Sequence, residues 1–143
     1  MRAVREKGGI TVKKNKAITL LFGVAAAYDA ILGAAFLMAA PALFEWVGVT
    51  PPNHFGYVHF PAALLLVFAL MFVAIARQPV ARRHLIPYGM LLKVSYCSVA
   101  FYHWLSAGIP DVWKPFAWAD LAFLALFIWA YRDLGVERGT AGD

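Results

Sequence analysis

The chain has 143 residues, of which 62% are hydrophobic and 15% are charged, and its mean hydropathy is +0.67. A soluble domain of this length needs more charged residues to cover its surface, so the composition excludes an ordinary soluble protein and indicates an integral membrane protein. The formal net charge of +5 lies in short segments beside apolar stretches. This pattern is typical of the basic segments that orient a protein in a membrane. We therefore predict no nucleic-acid partner.

Four apolar stretches are long enough to cross the hydrocarbon core of a bilayer, which takes about 20 helical residues. They are continuous rather than alternating, which favours helices over the strands of a barrel. We predict an all-α bundle of four transmembrane helices at 17–132, preceded by a basic segment at 1–16 and followed by a tail at 133–143. The predicted spans are residues 17–44, 57–76, 85–105 and 115–131.

The positive charges lie almost entirely on one side of this predicted bundle. Six Lys and Arg residues precede the first span, three lie between the second and third spans, and two follow the fourth, which is eleven of the thirteen. The positive-inside rule therefore predicts a multi-pass protein of the inner (plasma) membrane with both termini cytoplasmic. The first apolar stretch is longer than the core of a signal peptide and is interrupted by Asp29, so we expect it to be retained as a span.

Small side chains and aromatic rings suggest how the spans pack. The first span carries small residues at Gly23, Ala27, Ala30, Gly33 and Ala34, and such positions let helix backbones approach closely in a membrane. The second span has no polar side chain from Ala62 to Ala76, so we expect it to face lipid, or a partner in a homo-oligomer or larger membrane complex, more than the other three do. An aromatic belt at the outer interface is predicted for Trp46, Trp104, Trp113 and Trp118.

Three ionisable residues lie inside predicted spans: Asp29, Lys93 and Asp120. Each costs roughly 2.5–3.5 kcal/mol near the centre of a membrane helix, so each needs a partner. The helical rise places Asp29 about 18 Å and Lys93 about 12 Å from the cytoplasmic ends of their spans, and Asp120 about 8 Å from the outer end of its own. We therefore predict that Lys93 meets Asp29, with Asp120 one or two turns above them. One ammonium against two carboxylates leaves a surplus negative charge, which suits a proton, a metal ion or a cationic ligand.

Other polar side chains accompany these charges. Tyr28 precedes Asp29, and Tyr96 and His103 share the helix face of Lys93. The candidate ligand- or proton-binding residues are thus Asp29, Lys93, Asp120, Tyr28, Tyr96 and His103. The alternative is a structural polar tie between spans one, three and four, with the tyrosines and the histidine anchoring helices at the interface.

Metal binding and catalysis leave weaker signals in the sequence. Histidines His54, His59 and His103, together with Glu45, are predicted near the outer face and could bind copper or zinc, although their spacing matches no ligand motif and we predict no metal. No nucleophile motif or phosphate-binding loop is present, so neither a reaction nor a cofactor is identified. Cys97 is the single cysteine, which excludes an intrachain disulfide.

Four short motifs resemble the DoxX-like group of small four-helix membrane proteins. They are Tyr28-Asp29 before Gly33, the turn Ala76-Arg77-Gln78-Pro79, Lys93 following Gly89, and Asp120. The resemblance covers most of residues 17–132 and implies a four-helix bundle. It also implies a link to membrane subunits of quinone-linked oxidoreductases, because some members of the group have that role.

These observations lead to one functional hypothesis and two alternatives. We predict a small inner-membrane protein whose Asp/Lys/Asp site binds a small ligand or a proton, as an accessory or binding subunit. The first alternative is a membrane subunit of a quinone-linked oxidoreductase. The second is a proton- or cation-coupled carrier that acts as an oligomer.

Overall fold

The computed structural model describes the backbone of residues 2–140 and the side chains of residues 15–135. Over this part of the chain the protein is helical and contains no strand. The helices are α1 (Arg2–Trp46), α2 (Gly56–Arg77), α3 (Ile86–Ser106) and α4 (Lys114–Thr140). Each contains a stretch long and apolar enough to cross a membrane. The predicted all-helical fold, with four helices long and apolar enough to span a membrane, is confirmed.

The helices begin and end at local sequence signals. Short 3-10 turns at Arg83–Leu85 and Asp111–Trp113 precede α3 and α4. Gly48 and Gly108, with φ of 66° and 79°, follow α1 and α3 in the left-handed conformation that glycine adopts at little cost. Near its end α1 kinks at Ala39 (φ −134°, ψ 23°), because Pro41 lacks an N–H and its ring crowds the preceding turn.

Two helices are longer than the predicted spans. The backbone of α1 is helical from Arg2, so the basic segment and the first span form one continuous helix. The side chains of residues 1–14 lie outside the described part. The backbone of α4 continues to Thr140, past the predicted end at residue 131. It continues because Leu134 is fully buried in the core and the Gly135 backbone lies against the Arg83 side chain. The predicted tail at 133–143 therefore begins as helix.

The helices pack as two antiparallel hairpins, α1 with α2 and α3 with α4. The first hairpin is tightest at Gly33, where a Cβ atom would lie 2.7 Å from the backbone oxygen of Ala62 and 3.0 Å from Leu66 Cδ2. The predicted close approach of small residues is thus confirmed at Gly33. Gly23 is exposed and a Cβ atom there would meet nothing within 4 Å, so this glycine is not part of the contact.

Large apolar side chains cover the outside of all four helices, as expected for contact with lipid; they include Leu20, Ile31, Leu70, Leu91 and Leu126. The second span is expected to face lipid or a partner more than the other three, but only α1 and α3 are more buried than α2. Of its most apolar stretch 22% is buried inside the protein, compared with 28% for α1 and α3 and 17% for α4. Both α2 and α4 bury one face in the core, α2 through Phe72 and α4 through Phe127, so α4 is at least as exposed as α2.

An aromatic layer joins the two hairpins on the side of the bundle that carries the termini. We define it as Phe22, Phe72 and Phe127, none of which is exposed. The ring of Phe127 lies 4.7 Å from that of Phe22 and 5.2 Å from that of Phe72, centroid to centroid. Gly89 of α3 makes room for Phe72, since a Cβ atom there would lie 2.6 Å from the Phe72 ring. The layer places three closely packed rings at the centre of the bundle, among the aliphatic side chains of the core.

Candidate functional site

A buried ion cluster lies above the aromatic layer. The Nζ atom of Lys93 is 2.9 Å from Oδ1 of Asp29 and 3.0 Å from Oδ1 of Asp120. The Lys93 side chain is 1% exposed, that of Asp29 is fully buried, and that of Asp120 is 8% exposed. The predicted pairing of Lys93 with Asp29 is confirmed. Asp120, predicted to lie one or two turns above this pair, also contacts Lys93 directly. The long stem of a lysine lets one ammonium group reach both carboxylates.

Helical periodicity places this cluster over the aromatic layer. Asp29 follows Phe22 by seven residues on α1, and Asp120 precedes Phe127 by seven on α4. Seven residues are about two turns, so each carboxylate shares a helix face with a core phenylalanine. The faces that bury the layer therefore also bury the charges.

The carboxylates of the cluster are only partly satisfied. Lys93 donates a hydrogen bond to Oδ1 of Asp29, but Oδ2 of Asp29 is buried and has no hydrogen-bond partner in the part of the chain that the structure describes. Asp120 Oδ1 lies at ion-pair distance from Lys93 without hydrogen-bond geometry. A buried acceptor without a donor is costly, and one ammonium cannot neutralise two carboxylates. The cluster therefore has room, electrostatically, for one further donor or positive charge.

Aromatic faces surround the ammonium group. Its Nζ atom is 5.2 Å from the ring centroid of Tyr28, 5.5 Å from that of Phe123 and 6.0 Å from that of Phe72. These distances fall within the range in which a cation is attracted to a ring face. The site therefore has the aromatic surface that stabilises positive charge away from water.

A cavity of about 450 Å³ adjoins the cluster, and Asp29, Lys93 and Asp120 all line it. The rest of its wall is almost entirely apolar. Aromatic side chains form much of it, namely Tyr28, Phe36, Phe44, Tyr96, Trp113 and Phe116. A mostly apolar cavity with a few convergent polar groups is the usual form of a small-molecule site.

The two predicted tyrosines belong to this cavity. Both are half-buried and line it. The Tyr96 hydroxyl lies 3.5 Å from the backbone oxygen of Trp113 and donates a long hydrogen bond to it, tying α3 to the start of α4. The structure thus brings together five of the six predicted site residues.

His103, the sixth, lies elsewhere. It is exposed in the last turn of α3, with its ring 5.2 Å from that of Tyr102, and it does not line the cavity. It shares a broad arc of α3 with Lys93, but it lies ten residues further along, where the helix end is open. Of the two polar side chains predicted on the helix face of Lys93, Tyr96 therefore belongs to the cavity and His103 does not.

The side chains considered for a metal do not form a ligand set. Glu45 and His54 are exposed, and His54 Nδ1 accepts a hydrogen bond from the backbone N–H of Gly56. The ring of His59 stacks on Phe55, 6.1 Å between centroids. Over the side chains that the structure describes, no three His, Cys, Asp or Glu residues are placed to hold a metal ion.

Sequence reasoning missed part of the cavity wall. Trp113 was predicted in the interfacial belt, but its ring turns inward and lies 5.7 Å from Phe36 and 6.3 Å from Phe44. Trp118, by contrast, is 57% exposed, as the belt prediction requires. The sequence gives little indication of this orientation. Trp113 stands in the 3-10 turn before α4, outside the helical periodicity that would predict which way its side chain points.

Comparison of the chain with protein-family models, with curated proteins and with solved structures found no match. The resemblance to the DoxX-like group therefore stays a prediction that rests on its short motifs, and the site itself must carry the functional argument.

Proposed function

We propose that this integral membrane protein binds a small, largely apolar molecule in the cavity, with the polar head of the ligand at the Asp29–Lys93–Asp120 cluster. One observation carries the proposal: Oδ2 of Asp29 is a buried acceptor with no hydrogen-bond partner among the described residues, and Asp29 lines a cavity of about 450 Å³. A head group that donates a hydrogen bond would satisfy this oxygen. The volume lies within the range of known ligand sites.

A purely structural role explains less. Tying α1 to α3 requires Lys93 and one carboxylate, and a second buried carboxylate adds cost unless something else compensates for it. A structural tie also gives no reason for a cavity beside the charges, because unfilled space weakens packing. Ligand binding accounts for both features.

The two alternatives fit the site less well. A carrier needs a path beyond the cluster, and the aromatic layer of Phe22, Phe72 and Phe127 closes the bundle on the side of the termini. The aromatic wall of the cavity would suit the flat ring of a quinone. However, a quinone head offers only acceptors and would leave Asp29 Oδ2 unpaired, whereas the reduced quinol could donate to it.

The binding proposal predicts that Asp29→Asn loses the ligand. The exchange keeps the shape of the side chain but removes its charge, so affinity for a donor head group should fall about 10- to 100-fold, as expected for a lost charged hydrogen bond. Native mass spectrometry of the protein released from detergent would show a bound small molecule on the wild type and not on the variant. The same spectra report the number of subunits, and thus test whether the protein forms a homo-oligomer.

Asp111→Asn is the matched control for this experiment. Asp111 is an exposed carboxylate that pairs with Lys114 outside the cavity, so this variant should keep the bound molecule. If neither the wild type nor the control carries a bound molecule, and lipid-soluble extracts do not stabilise the wild type against heat, the binding proposal is wrong.

We also propose an inner-membrane location with both termini cytoplasmic. Eleven of the thirteen Lys and Arg residues are predicted on the same side of the bundle as the termini, and this bias supports the orientation. A green fluorescent protein fused to the C terminus should fluoresce, and an alkaline phosphatase fused at the same position should be inactive, because the phosphatase requires an oxidising compartment. The opposite pair of results would reverse the topology.

A further inference from the structure

We infer that the ligand is a lipophilic amine, bound as its ammonium ion, and that it reaches the cavity sideways from the lipid, through a gap between α2 and α3. The inference rests on the proposed binding function and narrows it to one charge class and one route.

The charge balance of the cluster selects the head group. Lys93 lies between Asp29 and Asp120 at 2.9 and 3.0 Å, so both carboxylates share one ammonium. A second ammonium would bring the charge to zero and would supply donors for the unpartnered Oδ2 of Asp29. An anionic head group would add to the surplus negative charge of the cluster. A neutral head group that only accepts hydrogen bonds would neither balance that charge nor donate to Oδ2 of Asp29.

The surroundings of the cluster also favour a cation. Three aromatic residues, Tyr28, Tyr96 and Phe116, line the cavity together with the cluster. The Tyr28 ring already lies within cation–π range of the Lys93 ammonium, 5.2 Å from its centroid. Beyond these rings the wall is aliphatic and aromatic, including Leu32, Val58 and other apolar side chains. The cavity therefore fits a compact charged head on an apolar tail.

The way into the cavity lies between α2 and α3. The two helices approach closely at Phe72 and Gly89, on the side of the cluster nearer the termini. On the other side, Leu64 of α2 is 40% exposed and Ser95 of α3 is exposed, yet both line the cavity. Residues that face both the cavity and the outside mark an opening at the level of the spans.

Ser95 suits an opening that faces lipid. Its hydroxyl donates to the backbone oxygen of Leu91 at 2.8 Å, so its donor is satisfied within the helix. Among the side chains of residues 15–135, which the structure describes, only those of the ion cluster bring charge to the cavity wall. A molecule dissolved in the bilayer could therefore move from the acyl chains into the cavity without crossing a charged barrier.

The charge class is tested by comparing dodecylamine with dodecanol, which share a tail and differ in the head. Saturable binding of the tritiated compounds is measured on protein in phosphatidylcholine nanodiscs, with empty nanodiscs subtracted. We expect the amine to bind at least about tenfold more tightly than the alcohol, because only its ammonium pairs with the surplus carboxylate. Asp29→Asn should abolish the preference, and Asp111→Asn should keep it.

The route is tested with docosylamine, whose tail is much longer than that of dodecylamine. A lateral opening lets the tail extend into lipid, so docosylamine should bind the wild type about as tightly as dodecylamine. Leu64→Trp, which fills the opening, should weaken docosylamine at least about tenfold by steric conflict. The matched control is Leu70→Trp, at a 71% exposed position of the same helix away from the cavity, and it should have no such effect.

The results separate this inference from the proposed function. Equal binding of dodecylamine and dodecanol to the wild type would show that a proton already neutralises the site, which overturns the amine assignment but keeps a binding cavity. Binding of dodecylamine without docosylamine would overturn the lateral route. Absence of saturable binding for all three compounds would overturn the proposed function itself.

Discussion

Lys93→Met is expected to destabilise the protein by about 3–5 kcal/mol, the usual cost of removing one partner from a buried ion pair. Methionine is similar to lysine in length and packs well in apolar surroundings, so the loss reports the missing charge more than missing volume. Asp29 and Asp120 would be left buried without a cation between them. Reversible unfolding in mixed micelles of rising dodecyl sulfate fraction, followed by circular dichroism, measures the change.

Two further variants show whether the effect comes from the cluster. Combining Lys93→Met with Asp29→Asn and Asp120→Asn removes every charge of the cluster, and most of the lost stability should return. Lys114→Met breaks the exposed pair with Asp111 and should change stability little. A stable Lys93→Met protein would mean that the carboxylates are neutral or hydrated without the lysine, which would contradict a charged and dry cluster.

Gly33→Ala is expected to cost about 1–3 kcal/mol, as overpacking usually does. The added methyl carbon would lie 2.7 Å from the backbone oxygen of Ala62, and a carbonyl inside α2 cannot rotate away as a side chain could. The helices α1 and α2 must therefore separate at the point where their backbones come closest. The same unfolding assay measures the cost, and separation of α1 from α2 here should also distort the cavity, which Ala62 lines.

Gly23→Ala is the matched control, because it makes the same exchange on the same helix. A Cβ atom at Gly23 meets nothing within 4 Å, so the variant should be neutral or slightly more stable, since alanine is the better helix former by up to about 1 kcal/mol. If both alanine variants gained stability equally, the contact at Gly33 would not be as tight as the structure describes.

The aromatic layer and the ion cluster act together in the proposed site. Phe22, Phe72 and Phe127 are fully buried directly below the charges and keep water from one side of them. Low dielectric surroundings strengthen the attraction of the surplus carboxylate for a cation. A dry base and an opening toward lipid therefore make the cavity selective for a ligand that is apolar except at its head.

The amino-acid sequence by itself determined the membrane class, the four spans and the pairing of Lys93 with Asp29. These followed from strong constraints along one dimension: a bilayer needs about 20 apolar helical residues per crossing, and a charge within it needs a partner at the same depth. The helical rise gives that depth directly. The two tyrosines beside the cluster, Tyr28 and Tyr96, were also predicted from their positions along the helices relative to Asp29 and Lys93.

What only the tertiary structure decided depends on how each helix is rotated and tilted against its neighbours. Of two similar glycines on α1, Gly33 meets α2 and Gly23 faces outward; Trp113 turns into the cavity, while His103 stays outside it. Apolar side chains face lipid and core alike in a membrane protein, so hydropathy does not distinguish the two sides of a helix. The cavity and its opening between α2 and α3 are spaces left by the packing of four helices, and no single stretch of sequence encodes them.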